Sequence, residues 1–246
     1  MLRLVRRRVK KLFSRRYNYE GDVFAVRKVN TGFLNDGAFQ KSWDVAKAGN
    51  SKLWPNGVPD VRWRAHVALW AATRGLDLKG DFVECGVYGG LLSLTICEHL
   101  GFKKDGPRFW LFDTFHGLPL AQLPADEIES ATKANRLYKT DVYEIAKQNF
   151  APYPNVKLIK GALPGSLSQA PELKKISYLS MDLNSASAEQ ETIDALWDSI
   201  VLGATIVLDD YGFKGHTQQY EMWNRFARSK NRTVMTIPTG QGLFIK

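Results

Sequence analysis

The sequence predicts an α/β protein built on a mostly parallel, doubly wound sheet, and three observations carry that expectation. After Gly80, short apolar runs alternate with helical stretches, as they do where helices cover both faces of a parallel sheet. Most of those runs end in an acidic residue or a glycine, and open α/β sheets bind their ligands beyond the carboxyl ends of the strands. The chain then closes with two apolar runs, Thr233 to Thr239 and Leu243 to Lys246, joined through Gly240-Gln241-Gly242, which reads as a β-hairpin.

A chain of 246 residues suits one α/β domain with an N-terminal extension. Hydrophobic residues make up 44% and charged residues 24%, and no apolar run approaches the ~20 residues that span a bilayer. The net charge is +9, but residues 1–20 hold eight basic side chains against Glu20 alone, which leaves +2 for the remainder. A near-neutral body argues against a nucleic-acid partner. Read as a helix, the extension sets Leu2, Val5, Val9, Leu12 and Phe13 in one stripe among arginines and lysines. It is either a solvated tail or partner-packing helix, or a peripheral contact of residues 1–16 with an anionic membrane. It lacks the apolar core and small-residue cleavage site of a secretory signal. Cys85 and Cys97 are spaced as core thiols rather than as metal or disulfide pairs, which fits a reducing, cytoplasmic setting.

Residues 21–77 form a helical cover. Residues 21–58 are expected to be irregular with short helices, and a helix capped by Asp60 and stopped by Gly75 follows. The apolar content of this N-terminal half points to a homodimer. Residues 78–246 carry the sheet, with strands expected at Asp81 to Gly86, Arg108 to Asp113, Val156 to Lys160, Ile176 to Asp182 and Ala204 to Asp209. Helices are expected at Leu91 to Leu100, Asp141 to Phe150, Ser187 to Ile200 and Gln218 to Lys230.

The strand ends hold the candidate chemistry. Glu84-Cys85-Gly86-Val87-Tyr88-Gly89-Gly90 is a tight strand-to-helix turn where backbone approaches a ligand and a helix amino terminus favours an anion. Asp113 can accept hydrogen bonds from a ribose diol, and the adjacent Phe115 can pack on a purine. Gly161 could admit the edge of that base. Asp113 lies 27 residues after Gly86, beyond the interval of about 20 usual for dinucleotide sites. Asp182 and the pair Asp209-Asp210 end strands four and five, so three carboxylates converge if those strands are neighbours. Such a set needs a cation or a proton, and an all-oxygen set suits Mg²⁺ or another hard divalent ion. The bland alternative is that these aspartates cap helices or bind loop amides. His116 and His216 lie in the same loops, where they are more simply exposed side chains.

Three ordered segments carry a family likeness: Gly80-Asp81-Phe82-Val83-Glu84-Cys85-Gly86-Val87, Leu111-Phe112-Asp113-Thr114-Phe115-His116-Gly117-Leu118-Pro119 and Val207-Leu208-Asp209-Asp210-Tyr211-Gly212. Together they resemble the macrocin O-methyltransferase (TylF) family of class I methyltransferases. The resemblance implies a Rossmann-like, seven-stranded sheet with an antiparallel C-terminal strand, and S-adenosylmethionine (SAM) as methyl donor. It implies cofactor contacts at Glu84, Gly86 and Asp113, with Tyr88, Ser93, Thr114, Phe115, Gly161, Ala162 and Asp182 beside them. It further implies a divalent ion on Asp182, Asp209 and Asp210, Asp182 as catalytic base, and a sugar or other polyhydroxylated small molecule as acceptor. One segment departs: where sugar-methylating members read Asp-Gly-Asp-Leu-Tyr-Glu-Ser-Thr, this chain has Asp182-Leu183-Asn184-Ser185-Ala186-Ser187-Ala188-Glu189. An amide replaces the second carboxylate and can offer an oxygen without the charge. Two rival readings share the glycine turn and the ribose carboxylate or the fold: a NAD-dependent nucleotide-sugar oxidoreductase, and a non-catalytic scaffold recruited through its basic tail.

Overall fold

The computed structural model describes residues 17–104, 106–136, 138 and 141–246; the basic helix expected over residues 1–16 lies outside them. The described chain opens with a small antiparallel hairpin, β1 (Tyr19–Gly21) and β2 (Phe24–Val26). Helices α1 (Gly37–Asn50) and α2 (Arg62–Leu76) follow. Then come β3 (Asp81–Cys85), α3 (Leu91–His99), β4 (Phe109–Asp113), α4 (Ile128–Ala134), α5 (Tyr143–Phe150) and β5 (Val156–Lys160). The last part holds β6 (Ile176–Met181), α6 (Ala186–Leu196), β7 (Ile200–Leu208), α7 (Thr217–Ser229), β8 (Met235–Thr236) and β9 (Gly242–Ile245).

The seven-stranded sheet runs in the order β5-β4-β3-β6-β7-β9-β8. Strands β3 to β7 are parallel, and β9 enters antiparallel to both β7 and β8. This is the class I methyltransferase plan that the motifs imply. Alternation along each strand splits the core in two. Phe82, Phe109, Leu111 and Tyr178 face a cluster with Trp43, Ala46, Leu69 and Leu94 from α1, α2 and α3. Val83, Trp110, Phe112, Leu179 and Met181 face Ile193, Met222, Trp223 and Phe226 from α6 and α7. A period of two feeding opposite faces is what a sheet with two helical layers requires.

The strand order reverses at β3, with β4 on one side and β6 on the other, and such a switch point opens a crevice at the strand tips. The parallel ladder continues one residue beyond the strands: Gly86 N donates to Phe112 O at 2.9 Å, Asp182 N to Cys85 O at 2.8 Å and Asp209 N to Met181 O at 3.0 Å. The tips that bear the candidate residues are therefore aligned by backbone rather than by side-chain contact.

Several expectations for the helical cover need correction. Within residues 21–58, expected to be irregular with short helices, residues 37–50 form one four-turn helix, α1. Its buried stripe is Phe39, Ser42, Trp43, Ala46 and Asn50, with helical spacing but small and polar members that hide it from an apolar-periodicity reading. Asp60 does not cap α2; Val61 holds that position. The Asp60 carboxylate instead forks onto the Arg62 guanidinium at 2.8 and 2.7 Å, a bidentate bond stronger than a cap would make. Gly75 does not stop the helix, which runs to Leu76; a Cβ there would sit 3.0 Å from Ser177 O and from the Phe82 ring, so glycine lets the helix lie close on the sheet. Strand β7 starts at Ile200, where α6 had been expected to end. In the terminal hairpin the first strand is confined to Met235–Thr236 of the expected run, and Ile237 N closes the turn onto Gln241 O at 3.0 Å.

Candidate active site

A cavity of about 910 Å³ opens at the carboxyl ends of β3, β4 and β6. Its lining includes Glu84, Gly86, Tyr88, Asp113, Thr114, Phe115, Gly161, Ala162, Asp182 and Asp209, so nearly all the residues singled out in the sequence meet around one space. Two do not line it: Ser93 is fully buried on α3, beside Glu84, and Asp210 joins the acidic cluster with Asp182 and Asp209 without lining the cavity.

The β3 turn is shaped by backbone. Gly86 has φ +88° and a Cβ there would run into the Asp182 carbonyl, a double demand only glycine meets. Glu84 is 4% exposed, and its Oε2 has no hydrogen-bond partner among the described residues. Burial pushes its carboxyl up to about 8, with Asp209 and Asp113 adding to the rise and the Ser93 hydroxyl opposing it. A buried acid with an open oxygen facing a cavity is poised to receive a cationic ligand group.

Asp113 at the tip of β4 ties this turn down. Its Oδ2 accepts from Val87 N at 2.6 Å and Tyr88 N at 2.7 Å, and its Oδ1 accepts from Phe115 N. Each carboxylate oxygen offers more than one lone pair, so the same group has capacity left for a ligand diol. Tyr88 and Phe115 hold positive φ values of 52° and 57°, uncommon for bulky residues and concentrated where strain is often functional.

Asp182, Asp209 and Asp210 each present an oxygen within 4.8 Å of the others. Burial pushes the Asp182 carboxyl well above the usual range, and the Asp210 and Asp209 charges add to it. Asp210 is raised by burial and by Asp209, against the pull of His216 and Arg64. Arg64 from α2 reaches the cluster with Nη1 2.6 Å from Asp209 Oδ2 and 3.5 Å from Asp210 Oδ1. Gln241 Nε2 donates to the other Asp209 oxygen at 2.8 Å, and Asn184 Nδ2 donates to Asp182 Oδ1 at 3.0 Å. Arg64, itself shared with Asp22, is the guanidinium set against these three carboxylates, and acids crowded this closely need protons or a further cation to coexist. The oxygen-only donor set fits a hard divalent cation.

Four lining or cluster residues were not legible as such. Trp54 and Tyr138 each meet the Tyr88 ring edge-on, at centroid distances of 5.4 and 5.3 Å, and both line the cavity. Arg64 and Gln241 touch Asp209 from 145 and 32 residues away in sequence. No local pattern announces contacts of that span. The oxidoreductase alternative would use a Tyr-x-x-x-Lys pair, and that spacing occurs at Tyr143/Lys147 and Tyr153/Lys157. None of these four lines the cavity: Lys147 pairs with Glu144, and the Tyr153 hydroxyl donates to Glu98.

The model of the macrocin O-methyltransferase (TylF) family matches residues 67–238. The chain belongs to that family. It is thus a SAM-dependent O-methyltransferase, and neither rival reading of the sequence is favoured. No curated protein matches it in sequence. Among solved structures it resembles the O-methyltransferase NovP, at 19% identity and a TM-score of 0.65 over 83% of this chain and 88% of that one. It also resembles CalS11, a calicheamicin methyltransferase, at 15% identity and 0.58 over 93% and 99%. A Bacillus cereus O-methyltransferase in complex with S-adenosylhomocysteine (SAH) matches at 13% identity and 0.55 over 87% and 95%. These likenesses bear on the fold. No helix among the described residues is long and apolar enough to cross a membrane.

Proposed function

We propose that this O-methyltransferase acts on a hydroxyl of a sugar or another polyhydroxylated small molecule, with a hard divalent cation such as Mg²⁺ held by Asp182, Asp209 and Asp210. The observation that carries this reading is the sharing of one cavity by Glu84, Asp113, Asp182 and Asp209. A donor seated on the first two would lie within reach of an acceptor seated on the last two. CalS11 is described as a TDP-rhamnose 3′-O-methyltransferase, and that likeness favours a sugar acceptor.

When bound, SAM supplies an electrophilic methyl group on sulfur, and a divalent ion lowers the pKa of a nearby hydroxyl. The chain's own groups do the rest. Glu84 would receive the methionyl ammonium, the amino terminus of α3 would favour its carboxylate, and Asp113, which fixes the turn that carries Tyr88, would receive the ribose diol. Asp182, which lines the cavity that holds the acceptor's proposed seat, would accept the acceptor's hydroxyl proton as the oxygen takes the methyl group and the sulfur leaves with its electron pair. Most of the acceleration then comes from holding two reactants in line. The enzyme is assigned to a reducing, cytoplasmic compartment, supported by the free buried thiols of Cys85 and Cys97.

The test is a methyl-transfer assay with nucleoside-diphosphate sugars and free polyols, with and without EDTA. Turnover of at least one such hydroxyl compound, lost on chelation and restored by Mg²⁺, is expected. Undiminished turnover in excess EDTA would overturn the metal role, and methylation restricted to non-hydroxyl acceptors would overturn the acceptor class.

A further inference from the structure

We propose that Arg64 is a resident cation of the acidic cluster, competing with a divalent ion for the same carboxylates and so setting how tightly that ion is held. This rests on the metal reading above and goes beyond it, because neither the motifs nor the family likeness assigns Arg64 a part.

Arg64 is positioned from three sides. Its Nη1 contacts Asp209 and Asp210, its Nε lies 2.6 Å from Asp22 Oδ2, and its guanidinium lies over the Phe213 ring at 4.5 Å from the centroid. The side chain is 13% exposed. A guanidinium does not lose its proton in proteins, so Arg64 carries its charge at every working pH. Asp22 belongs to the turn of the β1–β2 hairpin, which places an N-terminal element in the cluster's charge balance. A fixed guanidinium so near two ligand oxygens opposes a second cation by Coulomb repulsion in a partly desolvated site. It also satisfies the Asp209 oxygen that a metal would otherwise neutralise. The amide at Asn184 acts in the same direction, since it offers the cluster a dipole where a carboxylate would add charge.

The experiment is calorimetric titration of the full chain with MgCl₂ and with MnCl₂, comparing the native protein with Arg64→Gln. SAH affinity and circular dichroism serve as the check that the variant is folded. Glutamine keeps a donor for Asp209 and removes the charge, so R64Q should bind either ion about tenfold tighter or more. Binding by R64Q where the native protein shows none would also establish the proposal, while removing the metal from the native mechanism. Equal or weaker binding by R64Q, with the native protein binding normally, would overturn the role of Arg64 and leave the metal reading intact. If neither protein binds an ion, both fall. Should R64Q not fold, Asp22→Asn decides the matter: with its outer counter-charge gone the guanidinium repels the ion more effectively, and binding should weaken severalfold; unchanged affinity would refute the competition.

Discussion

Glu84 shows what a single buried acid imposes. In the ligand-free protein its carboxyl titrates at about 8 against an ordinary value of 4.5. An incoming ammonium favours the ionised form, so SAH binding near pH 7 should expel close to one proton. Titrations in buffers of different ionisation enthalpy measure that number directly, and affinity should climb as pH rises toward 8. Glu84→Gln should lower SAH affinity by roughly a hundredfold, as expected when a charge-assisted bond is lost in a dry site, and should abolish the proton release. Asp210→Ala is the converse case. It should eliminate methyl transfer while leaving SAH affinity within about twofold, because Asp210 belongs to the acidic cluster and not to the β3 turn. The convergence of Glu84, Asp113 and the three aspartates was legible because each sits at or beside the carboxyl end of a strand. Arg64 was not, because a basic residue on a helix looks the same in sequence whether it faces water or a carboxylate 145 residues further along.

At the scale of elements, the segment between β4 and α5 is fastened beside the site by two adjacent carboxylates. Glu127, just before α4, accepts from the Ser185 hydroxyl and from Ser187 N at 3.0 Å and Oγ at 3.3 Å, at the amino terminus of α6 that follows the Asp182 loop. Gln218 adds a bond to Asp126 at 3.0 Å. Glu127→Ala strands those donors, at roughly 1–3 kcal/mol for an unsatisfied buried group. The variant should show faster proteolytic cleavage within residues 118–136 and a raised KM for acceptor, with SAH affinity little changed. Ser185 and Ser187 replace residues of the sugar-methylating pattern, so the departure noted in the sequence coincides with this attachment. The strands and the terminal hairpin were readable because β-branched and aromatic runs bounded by glycines carry a local signal. Helix α1 and the β1–β2 hairpin were not: one buries Ser42 and Asn50 in its stripe, and the other is three residues a side, too short for alternation to register.

For the whole molecule, the fold raises the proton affinity of several buried acids in and around the site. Glu84 moves to about 8 and the buried Glu189, which accepts from Trp223 and Gln219, to about 7. The folded state therefore holds more protons than the unfolded chain between pH ~4.5 and ~8, and stability must fall as pH rises through that window. The thermal midpoint of the ligand-free protein should drop across it, as scanning calorimetry at fixed ionic strength would record. SAH and Mg²⁺ supplied together should flatten the profile; at a hundred times its dissociation constant a ligand adds about 2.7 kcal/mol. A midpoint that instead rises steadily from pH 5 to 8 without ligand would contradict the buried-acid account. This behaviour belongs to no one segment, since Glu84, Glu189 and Asp210 reach the same neighbourhood from β3, α6 and the end of β7.

The bare contact between Gly86 and the Asp182 carbonyl has a consequence for timing. With no side chain interposed, the turn proposed to seat the donor and the strand end proposed to seat the acceptor act as one plate, and a shift of either is expected to carry the other along. Opening for entry and exit is then expected at the walls, where Leu118, Leu123, Trp54 and Tyr138 line the cavity. Gly86→Ala, which forces that plate apart, should cost donor affinity and turnover in equal proportion, whereas wall variants should alter exchange rates first.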